Sequence, residues 1–260
     1  MSVHDEIGID HRVKREQSAY DEGLRRGAYN TIFRHTHYLS RQKRRRIVAE
    51  LLRSVPHGTV LELAAVGWLP FLEENAIVPD SLVCINISQR ELDQGVAAAR
   101  RTRLQPNFQL MDAHRLAFPD HHFDVVFGIS ILHHLEFETA LRELRRVLKP
   151  GGLVLFAEPL DNNPIARLVR RLTPRARTER MEDERPFRHG ELALMRRYFD
   201  CTFYFEQFLS VPLGLLSGLL QRHPDNLLTR AALRLDGSLV QALPKLGPYY
   251  RHVLIAGKAS

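Results

Sequence analysis

Val60-Leu61-Glu62-Leu63-Ala64-Ala65-Val66-Gly67-Trp68 has the form of a first strand and its turn in an alternating α/β unit. An apolar run ends in an acid, and a helix is expected beyond it, with Pro70 in its first turn. Turns of this kind approach a ligand closely and favour residues without a Cβ. Here one glycine, Gly67, stands in the turn. The segment points both to an architecture and to an altered ligand-facing loop.

Downstream the alternation continues. Strands are expected over Ser81–Ile87, Asn107–Met111, Phe123–Ile129 and Leu153–Ala157. Helices are expected over Leu69–Asn75, Gln89–Arg103 and Glu138–Leu148, the last with Leu141, Leu144 and Leu148 on one face. Lys149-Pro150-Gly151-Gly152 reads as a helix stop and a turn. Continuous apolar strands separated by helices imply a parallel sheet covered on both faces. Upstream, a helix is expected from Ser40, as its N-cap, to Leu52, before the break at Pro56-His57-Gly58. Beyond Pro159 the pattern changes. Glu191–Phe199 reads as a helix, and Cys201–Leu209 and Tyr249–Ala256 as strands.

The reading gives residues 1–55 as an N-terminal helical lid and 56–260 as the main α/β domain, with 160–190 and 210–248 as cap insertions. Tyr20 and Tyr29 are candidates for the lid's inner face or for plain helix packing.

The chain has 260 residues, enough for one well-buried core. Cys84 and Cys201 lie far apart in apolar runs, so buried free thiols and a cytoplasmic setting are expected. No signal peptide is read at the N-terminus, and no apolar run reaches the roughly 20 residues of a membrane-spanning helix. The net charge of +7 permits anionic partners. Its basic runs, 41–46 and 167–180, are read as solvated helix faces. No aromatic residues interleave with them, so nucleic acid is not an expected partner. A small-molecule substrate is expected, and the composition admits membrane-surface contact and a homodimer. No Cys/His cluster has zinc spacing, so no metal is expected.

Four blocks in order resemble the class I methyltransferases that use S-adenosylmethionine. They are Val60–Leu63, Val83–Ser88, Met111-Asp112-Ala113 with Leu116–Asp120 and Phe123–Val126, and Leu148–Gly152. Ser130-Ile131-Leu132-His133-His134-Leu135 also matches a common segment of that family. The resemblance covers about residues 58–158. It implies a doubly wound, mostly parallel, seven-stranded Rossmann-like sheet with N-terminal helices and a helical cap near the C-terminus. It implies S-adenosylmethionine as cofactor, with Glu62, Ala64 and Gly67 around the first turn and Asn86 at the ribose. By the same resemblance Ile87 packs on the adenine, Asp112 and the Ala113 amide meet its edge, and backbone carbonyls near Gly128 and Ile129 hold the ammonium.

This chain departs from the pattern twice. The family places glycines two, four and six residues after the acid, where this chain has Ala64, Val66 and Trp68. A turn one residue shorter puts Gly67 at the last of these positions. Asn86 replaces the usual acid and offers only a neutral acceptor.

His133 and His134 are candidates for a general base, since imidazole titrates near neutral pH. Packing at the sheet's edge is the alternative. Glu158 is read either as approaching substrate or as capping a neighbouring helix. The expected activity is methyl transfer to O or N of a small hydrophobic metabolite, a natural product or lipid-like molecule. The alternative is a protein that keeps the fold and catalyses a cyclisation, elimination or rearrangement, or serves as a non-catalytic binding partner.

Overall fold

The computed structural model describes residues 10–18, 33–55, 58–64, 68–172 and 186–259. Its centre is a seven-stranded sheet: β1 (Thr59–Leu63), β2 (Ser81–Asn86), β3 (Asn107–Leu110), β4 (Phe123–Ile129), β5 (Leu148–Pro159), β6 (Asp200–Glu206) and β7 (His252–Lys258). The order is β3-β2-β1-β4-β5-β7-β6, with β7 alone antiparallel to its neighbours. This is the doubly wound sheet expected from the alternation. The order reverses between β1 and β4, and open sheets of this kind bind ligands beyond the carboxyl ends of the strands at that point.

The strand sequences explain why both faces are covered. Leu61, Leu63, Val83, Ile85, Val154 and Phe156 belong to one buried cluster, and Val60, Leu82, Cys84, Leu153 and Leu155 to the other. Successive residues of each strand thus enter opposite layers, and neither face has room for a polar stripe.

The helices are α1 (residues 10–18), α2 (Arg34–Arg53), α3 (Leu69–Glu74), α4 (Gln89–Ala99), α5 (Phe137–Val147), α6 (Pro164–Leu172), α7 (His189–Tyr198), α8 (Ser210–Leu219) and α9 (Leu227–Ala242). α5 starts where the Glu136 carboxylate accepts the Thr139 amide at 2.8 Å, and it buries Leu141, Leu144 and Val147 against the first cluster. α2 buries Val48, Ala49 and Leu52 in the second cluster and also packs on α8 and α9.

Several local expectations are corrected. α2 begins at Arg34, six residues before the expected cap. Ser40 lies inside it and donates its hydroxyl to the Thr36 carbonyl at 3.1 Å, a local bond that a mid-helix serine can make. The C-terminal half of α2 packs on the sheet through Val48, Ala49 and Leu52, and among the described N-terminal residues Glu16 of α1 reaches the ligand side. β5 starts at Leu148, not Leu153, because the Pro-Gly-Gly turn is itself drawn into pairing. The Gly151 amide donates to Ala259 O at 2.8 Å, and the Ala259 amide donates to Gly152 O at 2.9 Å. Both cysteines are free, Cys84 buried and Cys201 half-buried. Among the described residues no helix is long and apolar enough to cross a membrane.

Candidate functional site

The β1 turn follows from a local conflict. Ala64 adopts φ 82°, a left-handed conformation that an L-residue resists by roughly 1–2 kcal/mol. Two bonds hold it there. Its amide donates to Ile85 O at 2.9 Å, and its carbonyl accepts the Asn86 amide nitrogen at 2.7 Å. Asn86 Oδ1 in turn accepts the Ser88 amide at 2.9 Å. The Asn86 side chain thus braces the two turns against each other, using its donor and its acceptor at once. At the end of β4, Ser130 repeats the conformation with φ 52°, held by its amide on Ala157 O at 2.8 Å. Gly128, two residues earlier, sits so close to the following turn that a Cβ there would lie 2.7 Å from Ile131 Cγ2.

Between these turns lies a cavity of about 160 Å³. Leu63, Ile85, Met111 and Ala113 give it an apolar floor. Ala64, Asn86 and Ile87 line it at the ends of β1 and β2, and Ile129, Ser130, Ile131 and Leu135 line it beyond β4. Glu91, in the first turn of α4, adds a carboxylate on the β2 side. Glu16, from α1, adds another. Two non-glycine residues with positive φ, Ala64 and Ser130, therefore line one cavity. Backbone strain of this kind concentrates at ligand sites.

Five of the expected cofactor residues meet here: Ala64, Asn86, Ile87, Ala113 and Ile129. Gly67 and Val66 lie outside the described residues, as do Tyr20 and Tyr29. Trp68 does not enter the cavity. It packs edge-on against Phe71 at 4.7 Å and Phe127 at 5.4 Å, in the cluster that holds Val60 and Cys84.

Glu62 is not among the cavity-lining residues, because the strand's alternation turns it into the layer opposite Leu61 and Leu63. It accepts the Cys84 thiol at 3.3 Å. Burial pushes its carboxyl up to about 7, against the opposing pull of the Cys84 bond.

Asp112 sits between two cavity residues, but its carboxylate is engaged elsewhere. Oδ1 takes the His114 amide at 2.9 Å and His114 Nδ1 at 2.6 Å. Burial alone would raise this carboxyl. The bonds from His114 overcome that and hold it below the usual range. Because the Glu136 amide donates to His114 Nε2 at 2.7 Å, the proton on His114 belongs at Nδ1, facing Asp112.

His133 and His134 are both buried in a 3-10 turn, Leu132–His134, with ring centroids 4.2 Å apart. His133 Nδ1 meets Glu158 Oε2 at 2.6 Å. Glu158 is fully buried, and its Oε1 also accepts the Ile131 and Leu132 amides at 3.1 and 2.9 Å. It therefore caps and pins this turn. His134 Nδ1 lies 3.4 Å from Glu16 Oε1. Glu16 and Arg12, four residues apart on one face of α1, carry no local signal, because charged residues on a polar helix read as solvated.

A second polar cluster lies on the α2 side of the sheet. Glu206 pairs with Arg44 at 3.1 Å, and His37 bridges Arg251 Nη1 at 2.8 Å and Gln207 Nε2 at 3.2 Å. Burial, then Arg251, pushes the His37 imidazole down to about 2, so it stays neutral. Arg44 belongs to the 41–46 run, whose Arg45 pairs with Glu74 at 2.8 Å. Two of that run's cations thus serve the fold.

Relief of the Ala64 strain is measurable. Ala64→Gly should stabilise the protein by about 1 kcal/mol, the left-handed penalty less the extra freedom of unfolded glycine. That corresponds to a melting temperature higher by about 3 °C in differential scanning calorimetry. A lower melting temperature would show that the methyl group is packed and not strained.

Comparison with known proteins agrees with this geometry. Residues 66–156 match the family described as "Methyltransferase domain". A segment of 86 residues is 43% identical to the "Ubiquinone/menaquinone biosynthesis C-methyltransferase UbiE" of Ectopseudomonas mendocina, over 32% of this chain and 30% of that protein. A segment of 151 residues is 28% identical to the "Sterol 24-C-methyltransferase erg6" of Aspergillus fumigatus, over 55% of this chain and 38% of that protein. The chain therefore matches only about a third of the length of these curated relatives. The solved structure of the "[4+2]-Cyclase SpnF" superposes with a TM-score of 0.51 at 18% identity, over 82% of this chain and 79% of that one.

Proposed function

We propose that the chain, whose residues 66–156 match a methyltransferase domain, is a class I S-adenosylmethionine-dependent methyltransferase and that it moves a methyl group from this cofactor to a small, largely apolar acceptor. The observation that carries the reading is the cavity at the reversal of strand order, where Ala64, Asn86, Ile87, Ala113 and Ile129 converge. The residues present fit the cofactor. The floor of Ile85, Met111 and Ala113 suits an adenine face, and the Glu91 carboxylate suits the ribose hydroxyls in place of the acid absent at Asn86. Asp112, engaged with His114, is a weaker adenine partner than the Ala113 backbone beside it.

The sulfonium of the cofactor supplies an already activated methyl group, so transfer needs in-line positioning and exclusion of water more than covalent help. The chain's own part is to hold the acceptor and take its proton. His133 is oriented by Glu158, and His134 stands beside the cavity-lining Glu16; both are buried in the turn between the lining residues Ile131 and Leu135, and these two imidazoles are the proposed proton acceptors. The acceptor is accordingly one with an ionisable proton at or beside the attacking atom: a hydroxyl, an amine, or a carbon activated by a neighbouring hydroxyl. The two curated relatives above are named C-methyltransferases, which supports including carbon.

Titration calorimetry with S-adenosylmethionine and S-adenosylhomocysteine tests the reading. Binding in the range of about 1–100 μM is expected, in line with ordinary enzyme affinities for small substrates. Absence of heat from either ligand at about 100 μM would sink the reading. Binding with no methyl transfer to any of a panel of phenols, amines and hydroxyacids would favour the second reading. That reading, a cyclisation or rearrangement on the same fold, draws on the glycine-poor turn.

A further inference from the structure

Two helices leave the ligand side of the sheet and keep an apolar face toward solvent. α6 follows the carboxyl end of β5 through Leu160–Asn163, and α8 follows the carboxyl end of β6, which runs parallel to β5. Both are anchored by buried polar groups. Asn163 Oδ1 accepts the Ala166 amide at 2.8 Å, and its Nδ2 donates to Tyr249 O at 3.1 Å. Asp236, from α9, accepts the Leu209 amide and the Ser210 hydroxyl, each at 2.6 Å. The inner face of α8 is small and buried, with Ser210, Val211, Gly214 and Ser217. Ile165 of α6 and Leu215 of α8 pack on the small cluster of Phe33, Ala166 and Val211, so the two helices lie side by side.

The outer faces have no such role in the fold. Leu168 and Leu172 on α6, Leu216 and Leu219 on α8, and Leu220 at its end are exposed, Leu172 by 73% and Leu219 by 81%. Single exposed leucines are ordinary, but several on two packed helices form an apolar patch of the kind that marks an interaction surface. The charge around it has one sign. Asn162–Leu172 carries three arginines and no acid. Arg167 and Arg171 are exposed beside Leu168 and Leu172. From Gln207 to Leu235 there are three arginines, among them Arg222, and one acid, Asp225, whose carboxylate is taken by Arg230 at 3.0 Å. The part of the 167–180 run that the structure describes is thus no plain solvated face, since it interleaves cations with exposed leucines. Exposed leucines with arginines among them are the pattern of a helix lying in the interface of an anionic bilayer. Long arginine side chains reach the headgroups while the leucines enter the acyl boundary. A second copy of the chain fits this face less well, because a two-fold contact would set the same arginines against each other.

We propose that the outer faces of α6 and α8 dock on an anionic lipid bilayer, which turns the ligand side of the sheet toward the membrane. Such docking goes beyond the methyl-transfer reading and does not depend on the ligand that the cavity takes. Each arginine near an anionic surface is worth about a fivefold gain in partitioning, and the leucines add the apolar part.

Co-sedimentation of the full chain with lipid vesicles tests the docking face. At about 0.1 M salt, vesicles of equal parts phosphatidylcholine and phosphatidylglycerol should bind the chain at least about 10-fold more tightly than phosphatidylcholine alone. Leu168→Ser with Leu172→Ser, and Leu216→Ser with Leu219→Ser, should each weaken binding to the anionic vesicles by about 10-fold or more. Arg167→Gln with Arg171→Gln should weaken it by about 20-fold. Arg100→Gln with Arg101→Gln removes the same charge from the exposed end of α4, which packs on β2 and β3 at the edge of the sheet opposite β6. That control should stay within about threefold, because screening confines the attraction to charges near the surface. Melting temperatures should stay within about 2 °C of the parent, since the substituted side chains are exposed. Absent binding, or equal binding to neutral and anionic vesicles, would overturn the docking face. Binding that ignores the leucines, or that falls alike for both arginine pairs, would also overturn it and leave only diffuse adsorption of a basic protein. A lipid-free dimer in sedimentation velocity that the leucine variants break apart would assign the face to a second copy instead. Titration with S-adenosylhomocysteine reports on the cavity alone, so failure there leaves the docking face standing.

Discussion

Asn86→Asp lowers stability and weakens the cofactor, although it restores the acid that the family carries at this position. The reason is the brace between the β1 and β2 turns. Asn86 Nδ2 donates to the Ala64 carbonyl at 2.7 Å, and Oδ1 accepts the Ser88 amide at 2.9 Å. A carboxylate keeps the second bond and inverts the first, placing an anionic oxygen against a carbonyl oxygen. The cost is the lost bond and an acceptor left facing an acceptor, about 2 kcal/mol. That corresponds to a drop in melting temperature of about 5 °C. Because Ala64 is held at φ 82° partly by this bond, the turn relaxes and cofactor affinity falls by about 10-fold.

The pH dependence follows with its sign. A protonated carboxyl can donate to Ala64 O, so folding favours the protonated form and raises the new group's pKa. The deficit is then smallest at low pH and grows as pH rises through the folded-state pKa. Equal melting temperatures and tighter binding at pH 7 would show that the brace is dispensable and that a charged ribose acceptor was simply missing. A further variant, Glu91→Gln, then locates the ribose contact. It weakens binding only if Glu91 already fills that role.

The contrast between Asn86 and Glu16 shows what a sequence can display. The strands were legible because they depend on short-range pattern, and the five residues that meet at the cavity because the order of the blocks resembles a known family. An apolar run fixes a strand, and the resemblance says which residues at its end are to face the ligand. Side-chain commitments were not legible. Nothing local to Glu62 says that its carboxyl takes the thiol of Cys84 on the next strand, nor that Asp112 is spoken for by His114 two residues on. Trp68 stands where the family has its last glycine of the turn. The structure buries its indole in the other layer, edge-on against Phe71 and Phe127. Arg12 and Glu16 were invisible for the opposite reason: only a contact across more than a hundred residues distinguishes them from a solvated helical pair.

Glu158→Ala carries a large expected loss of stability. Glu158 ties the turn after β4 to the end of β5 by its side chain, through the Ile131 and Leu132 amides and His133 Nδ1. Removing it leaves two amides and an imidazole buried without these partners, in a site with no exposure to water. Leaving three buried donors short of a charge-assisted acceptor costs roughly 1–2 kcal/mol each, about 3–5 kcal/mol together. For a domain of this size the melting temperature falls by about 10 °C. Glu158→Gln separates the structural from the chemical role. Its amide oxygen still accepts both backbone donors, so about two thirds of the stability loss is recovered, within the usual worth of such bonds. What it removes is the negative charge that would stabilise a protonated His133. If His133 takes the acceptor's proton, Glu158→Gln lowers kcat by about 100-fold, a typical share for a positioned acid–base pair, and leaves KM nearly unchanged. If His133 only packs, kcat stays within about twofold and the loss is confined to the alanine variant's stability. The same pair of measurements therefore decides whether the buried histidine turn is a hinge of the fold or the base of the reaction.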